Sequence, residues 1–161
     1  MKRAKFLWPL TQGHHRGLVA ARNIKDRIAR MEGAEGPQLE ALRSEVVEFW
    51  VSELQGHFAA EEEVLRLLGA HVGPEDGDVA RILSEHRKME QAIQRGTKEE
   101  LLGFADLLKD HIRFEEDHLF ARLERELTPE EIRREEGFLL REAVPACIHL
   151  PAAPQSSKET T

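Results

Sequence analysis

Tyrosine is absent from this 161-residue chain, and cysteine occurs only once, at Cys147. A single cysteine excludes an internal disulfide, a CxxC redox pair and a metal cage built from thiolates. Such sparse use of cysteine is typical of a reducing compartment, so we expect a cytoplasmic location. Because tyrosine is missing, the chain cannot be a reductase that works through a tyrosyl radical.

Long apolar runs are also missing. No stretch approaches the roughly 18 to 20 apolar residues that a membrane-spanning helix needs. The segment from Met1 to Pro9 is basic but lacks the apolar core of a signal peptide. Acidic residues outnumber basic residues by 30 to 23, which gives a formal net charge of -7. This balance argues against nucleic acid or an anionic membrane as the main partner, and we expect a soluble protein.

Strand-like alternation and hairpin turn signals of useful length do not occur either. Instead, apolar residues recur at helical spacing in four segments, at about 10–30, 38–68, 77–94 and 98–127, separated by turns that contain glycine or proline. The residues predicted to face inward in the first segment are Leu10, Leu18, Ala21, Ile24 and Ile28. Four helices of similar length with short connections predict an all-α, antiparallel, up-down-up-down four-helix bundle.

The predicted bundle occupies residues 1–127. Thr128 and Pro129, followed by acidic residues, predict a short extra helix over 128–144, because threonine suits the N-cap and proline the first helical position. The proline, alanine, serine and lysine content of residues 145–161 predicts a flexible tail.

Ionisable side chains interrupt the apolar stripe of every segment. In the second segment Leu54 is followed on the same face by His57 and Glu61, after which apolar residues resume. The residues that interrupt the other stripes are His14 or the adjacent His15 in the first segment, His86 in the third, and His111 and Glu115 in the fourth. Of the first pair we prefer His14, since it lies in line with the apolar residues before it. Each predicted helix therefore directs at least one imidazole toward the shared interior.

The spacing between these residues is also informative. Glutamate stands four residues after four of the eight histidines, whereas its overall frequency predicts about one such pair. We attribute the pair His71 and Glu75, in a glycine- and proline-containing loop, to chance. Inward carboxylates without partners would cost several kcal/mol each, and bound cations would offset that cost.

Residues four apart on a helix lie about one turn from each other on the same face. A histidine can then bind one metal ion while the glutamate reaches along the axis and bridges two ions. Imidazole together with carboxylate suits iron, manganese or zinc, whereas calcium and magnesium prefer oxygen ligands. Two bridged ions in a helical bundle favour iron or manganese.

The pattern of His14 or His15, His57-x3-Glu61, His86 and His111-x3-Glu115 resembles the hemerythrin-like family, also called the HHE cation-binding domain. The resemblance extends over about residues 7 to 127. It implies an antiparallel bundle with two carboxylate-bridged iron ions, for which manganese or zinc are possible substitutes. It also implies a small diatomic or peroxide ligand, such as dioxygen, nitric oxide or peroxide.

Two positions differ from the oxygen-carrying members of that family. On the third helix, those proteins have a second histidine four residues after the first, where this chain has Glu90. Their last helix ends in the motif His-x4-Asp, where this chain has His111-x3-Glu115. The site therefore resembles the carboxylate-richer branch, which is associated with sensing, iron handling or repair. The Glu-x-x-His spacing of ferritins and rubrerythrins occurs once, at Glu115 to His118, and lacks the second copy that those proteins require.

Three functions agree with these observations. We favour a binding or sensor module for small oxidants over a di-iron enzyme that consumes peroxide or nitric oxide, and a structural bundle with a vestigial site is the third possibility. The sequence does not identify a protein partner. Glu90 is expected to be solvated or near the site rather than a ligand. The glutamates expected to form a solvated face are Glu62, Glu63 and Glu116.

Overall fold

The computed structural model describes residues 7–33, 36–73 and 75–134. Its α-helices are α1 (Trp8–Ala29), α2 (Pro37–Phe49), α3 (Gln55–Val72), α4 (Gly77–Arg95), α5 (Lys98–Phe114) and α6 (Phe120–Glu126). One π-helical turn, Trp50–Leu54, joins α2 to α3, and a second, Glu115–Leu119, joins α5 to α6. The described residues thus form four long helical segments and contain no strand.

The four segments pack as a bundle. α5 contacts both α1 and α4, while α3 contacts α1, α4 and α6. Because consecutive segments are joined by short turns, they run antiparallel, as an up-down-up-down bundle requires. The all-α bundle predicted from the sequence is confirmed.

Local capping explains where two of the helices begin. The side chain of Asp76 accepts hydrogen bonds from the backbone N–H groups of Asp78 and Val79 at the start of α4. At the start of α5, Thr97 Oγ1 accepts from the backbone N–H of Glu100 at 3.1 Å. These bonds use N–H groups that have no partner inside the helix.

The extra helix predicted after the bundle begins as expected. Thr128 Oγ1 accepts from the backbone N–H of Glu131, whose carboxylate accepts in return from the backbone N–H of Thr128. Helical backbone follows from residue 129 to the last described position, 134. The remainder of the predicted helix and the predicted tail at 145–161 lie outside the described residues.

Gly96, which ends α4, has a left-handed backbone with φ of 62°, and a Cβ there would lie 2.6 Å from Arg43 Nε. Replacing it by alanine is expected to lower the free energy of unfolding by about 1 kcal/mol or more. The matched control is Gly103→Ala, since a Cβ at this exposed position in α5 meets no atom within 4 Å. The free energy of unfolding of that variant should rise by roughly 0.5 to 1 kcal/mol. Denaturant unfolding of both variants measures these changes in the free energy of unfolding. Equal changes would contradict the conclusion that the left-handed backbone at position 96 requires glycine.

Within the part of the chain that the structure describes, the core consists of two apolar clusters. One contains Leu7, Leu10 and residues of α3 and α6, and the other contains Phe104, Leu108 and residues of α1, α2 and α4. A layer of buried polar and charged side chains accompanies them. That layer contains most of the ionisable residues that interrupt the apolar stripes.

The prediction that Leu18 faces inward is wrong, since it is 37% exposed. Gly17 takes the inward position, and a Cβ there would lie only 2.7 Å from Ile112 Cδ1. α1 therefore approaches α5 closely at this point. The buried positions after Leu10 follow the alternating steps of four and three residues that one helix face requires: His14, Gly17, Ala21, Ile24 and Ile28.

Candidate metal centre

Six ionisable side chains from all four helical segments meet in the interior of the bundle. His14 comes from α1, His57 and Glu61 from α3, His86 from α4, His111 from α5 and Glu115 from the second π-helical turn. All six residues are buried, with exposed fractions between 0% for Glu115 and 8% for His57. Burying this many ionisable groups requires close and specific partners.

Glu61 lies between two pairs of histidines. Its Oε1 is 2.7 Å from His57 Nε2 and 3.5 Å from His14 Nε2. Its Oε2 is 3.3 Å from His86 Nε2 and 3.9 Å from His111 Nε2. Each oxygen therefore serves a different pair, which is the arrangement of a carboxylate that bridges two cations.

Glu115 also contacts both pairs of histidines. Its Oε2 lies 3.2 Å from His14 Nε2 and 3.5 Å from His111 Nε2, so it reaches one histidine of each pair. Both of its oxygens are buried without a hydrogen-bond partner, as is Oε2 of Glu61. Carboxylate oxygens in this situation are costly unless a cation neutralises them.

The geometry defines two groups of atoms that fit metal ions. His14, His57 and Glu61 present ligand atoms within 4.8 Å of one another, and so do Glu61, His86 and His111. Glu61 belongs to both groups. Imidazole nitrogen with carboxylate oxygen is a donor set that suits iron, manganese or zinc. The residues present therefore fit a pair of such ions, and the unpartnered oxygens supply the electrostatic reason for them.

Three further carboxylates hold the opposite nitrogen of three of these rings. Nδ1 of His14 is 2.7 Å from Glu116, Nδ1 of His86 is 2.8 Å from Glu62, and Nδ1 of His111 is 2.8 Å from Glu85. Such contacts fix the orientation of a ring and leave Nε2 for the metal. All three Nε2 atoms do face the centre of the cluster.

The positions of these supporting carboxylates differ from what the sequence pattern predicts. Glu62 and Glu116 were expected on a solvated face, but although their side chains are 47% and 27% exposed, each also contacts a buried imidazole. Long side chains at the edge of the apolar stripe reach inward, which explains the error. Glu85 was not singled out, although its spacing of three residues after Ile82 and four before Met89 is a core spacing.

The remaining candidate residues lie elsewhere. His15 and Glu90 are exposed and belong to neither group of potential ligands. The other predicted ligands lie together in the core, with Glu115 placed there by its contacts with His14 and His111. His71 lies in the last turn of α3 rather than in a loop, where its Nε2 is 2.8 Å from Glu131 Oε1. His118 is 2.9 Å from Asp78 on the surface.

Aromatic rings enclose the cluster on two sides. The ring of Phe58 stacks on that of His86 with 3.9 Å between centroids, and Phe120 stacks on His14 at 5.4 Å. Trp50 in turn contacts Phe58 edge to face at 5.5 Å. Gly13 allows α1 to approach α3, because a Cβ there would lie 2.8 Å from His57 Nδ1. These contacts restrict the movement of the histidines and keep bulk water from their faces.

The electrostatics of the cluster favour ion pairs between protonated histidines and ionised glutamates. Burial lowers the pKa of His14, but the nearby carboxylates of Glu115 and Glu61 outweigh it and raise the pKa to about 9. Burial likewise opposes protonation of His111, yet Glu115, Glu61 and Glu85 raise its pKa to about 10. Burial tends to raise the pKa of Glu61, but the surrounding histidines hold it well below its usual range.

Metal uptake is therefore expected to release protons. At neutral pH the metal-free protein carries His14 and His111 as imidazolium ions, since the pKa of each is above 7. Each must lose a proton before Nε2 binds a metal, so at pH 7 uptake should release protons from both residues and the affinity should rise with pH. Calorimetric titration with zinc, in buffers that differ in ionisation enthalpy, measures this release. A heat that does not depend on the buffer would contradict it.

A four-helix bundle with buried histidines and bridging carboxylates defines a class of helical protein with a metal centre in its core. Residues 10–123 match the model of the hemerythrin HHE cation binding domain. The chain therefore belongs to the hemerythrin family, as its sequence motifs predicted.

No curated protein and no solved structure matches the chain in the corresponding comparisons. None of the described helices is both long and apolar enough to cross a membrane.

Proposed function

We propose that the chain binds two iron ions in the core of the bundle and uses them to bind or sense a small oxidant, such as dioxygen, nitric oxide or peroxide. The observation that carries the proposal is the position of Glu61, whose two oxygens each face a different pair of histidines. A single carboxylate shared in this way is typical of a site for two ions rather than one.

The charges of the site support a pair of divalent ions. Glu61 and Glu115 supply two negative charges at its centre, and three of their four oxygens are buried without a hydrogen-bond donor. Two divalent ions would replace the protons on the imidazoles and supply the missing partners. Iron bound by such ligands supplies redox chemistry toward small oxidants, which zinc does not.

The surroundings of the site favour a small ligand. Each of the six residues that converge in the core is at most 8% exposed, and the rings of Phe58 and Phe120 lie against two of the histidines. Such walls exclude a bulky organic substrate and much of the solvent. They leave a diatomic molecule or peroxide as the class of ligand that fits.

Reversible oxygen carriage is not part of the proposal. The position on α4 where oxygen carriers have a further histidine is occupied by Glu90, which is exposed. The site therefore has two histidines for each potential metal position, and carboxylates make up a larger share of its potential ligands than in the oxygen carriers. Carboxylate ligands favour the oxidised state of iron, which suits a sensor of oxidants or a protein that handles iron.

Metal analysis with an optical spectrum tests the proposal. The chain, produced in iron-replete medium, should contain about two iron ions and, once oxidised, show charge-transfer absorption in the near ultraviolet and visible. Addition of nitric oxide or peroxide should change that spectrum. Absence of iron, or a spectrum that neither molecule alters, would refute the proposal.

The alternative function is a di-iron enzyme that consumes peroxide or nitric oxide, since the same ligands would serve it. Assays of peroxide or nitric oxide consumption by the iron-loaded chain separate the two functions. Repeated turnover favours the enzyme, whereas one equivalent bound without consumption favours the sensor.

A further inference from the structure

Glu85 is a buried carboxylate that belongs to neither group of potential metal ligands. It is 9% exposed and lies on α4 beside His86. Its Oε2 accepts a hydrogen bond from Nδ1 of His111 at 2.8 Å, while its Oε1 accepts one from Nε of Arg81, also at 2.8 Å. The carboxylate therefore connects a candidate ligand in the core with an arginine at the surface.

Arg81 is itself held in place. Its side chain is 43% exposed, and its guanidinium carbon lies 3.7 Å from the centre of the Phe114 ring. Stacking of this kind is favourable and restricts the arginine. Because the guanidinium keeps its proton in proteins, Glu85 lies between a permanent cation and an imidazole.

The environment of Glu85 differs from that of the other two supporting carboxylates. Its side chain is 11% exposed, compared with 47% for Glu62 and 27% for Glu116. Water weakens the effect of an exposed charge, whereas a buried charge acts through a lower effective dielectric. Of the three, Glu85 therefore exerts the least screened effect on the imidazole that it holds.

We propose that Glu85 and Arg81 act together as positioning residues that set the electron donation of His111 to a metal ion and thereby the reduction potential of iron bound there. This inference rests on the proposed function. A carboxylate at Nδ1 keeps the proton on that nitrogen, directs Nε2 to the site and makes the ring a stronger donor. Arg81 draws part of the negative charge of Glu85 away from the ring, so its influence has the opposite sign.

Opposite shifts in the reduction potential of the iron-loaded chain are the expected result. Glu85→Gln removes the negative charge beside His111 and should raise the potential, because the more highly charged iron is then less stabilised. Arg81→Gln leaves the charge of Glu85 uncompensated and should lower the potential. Shifts of the same sign, or no shift, would overturn the proposal, since a purely structural role gives both variants the same kind of defect.

Glu90→Gln provides the matched control, because Glu90 lies on the same helix, is exposed and undergoes the same change in charge. It should leave the potential unchanged. A shift as large as that of Glu85→Gln would mean that only overall charge matters, and would also overturn the proposal.

The zinc-loaded chain separates this inference from the proposed iron chemistry, because zinc has no redox chemistry. Glu85→Gln is expected to lower zinc affinity about 10-fold or more, and Glu90→Gln to leave it unchanged. Nitrogen-15 NMR of the zinc-loaded chain should show His111 protonated at Nδ1. Zinc affinity unaltered by Glu85→Gln would refute the positioning role alone, whereas a wild-type chain that binds neither iron nor zinc would refute the proposed function as well.

Discussion

Replacing Glu61 by alanine is expected to abolish the binding of both metal ions. Glu61 is the residue shared by the two groups of potential ligands, and its oxygens lie 2.7 Å from His57 Nε2 and 3.3 Å from His86 Nε2. Without it, each position keeps two histidines, and Glu115 is the one central carboxylate that remains between them. The iron content, measured by elemental analysis, should fall from about two ions per chain to well below one.

The matched control for this prediction is Glu63→Ala. Glu63 lies two residues further along α3 and pairs with Arg66 at 2.7 Å, away from the cluster. It should retain both ions. Circular dichroism should show that both variants remain helical, since alanine favours helix and neither substitution alters the two apolar clusters of the core. Two ions retained by Glu61→Ala would mean that Glu61 does not bridge.

Most of the bundle was predictable because its helices are bounded by local signals. Gly96 and Thr97 mark the end of α4 and the start of α5, and the capping bond of Thr97 follows from residue type and spacing. The inward position of Leu18 was predicted wrongly, because an apolar stripe says nothing about a glycine that faces the core. Gly17 contributes no side chain to the pattern and yet occupies the inward position.

The two π-helical turns were not predicted. They lie inside the second and fourth segments, for each of which the apolar pattern predicts one continuous α-helix. The buried residues His111, Glu115, Leu119 and Leu123 recur every four positions, and in an α-helix each such step advances by about 40° around the axis. A π-helical turn accommodates the additional residues and keeps these side chains on one face. Successive steps of four are the signal that could have indicated it.

The convergence of the candidate ligands in the core was predictable from the sequence, whereas the carboxylates that hold their rings were not. A histidine within an apolar stripe faces the core of a bundle, and the structure accordingly buries His14 and exposes His15. Glu62 and Glu116 gave no such signal, because they lie beside the stripe and reach the rings through long side chains. That the six converging residues bind metal stays a prediction, and stability measurements address it directly.

Removal of the metal is expected to lower the thermal stability of the chain substantially. The metal-free core retains the buried oxygens of Glu61 and Glu115 that have no hydrogen-bond partner. An ion present at about 100 times its Kd stabilises the folded state by about 2.7 kcal/mol, so two ions contribute about 5 kcal/mol. In a chain of this size, a loss of that order corresponds to a fall in Tm of about 10 to 20 °C.

Calorimetric melting with and without a chelator measures this fall, and Glu61→Ala provides the control. Since that variant should bind neither ion, the chelator should leave its Tm unchanged. The comparison also decides whether the site is vestigial. If the bundle has lost its metal function, the wild-type chain should melt at the same temperature with and without the chelator. In that case the imidazolium ions of His14 and His111 would suffice to balance the charge of the buried carboxylates.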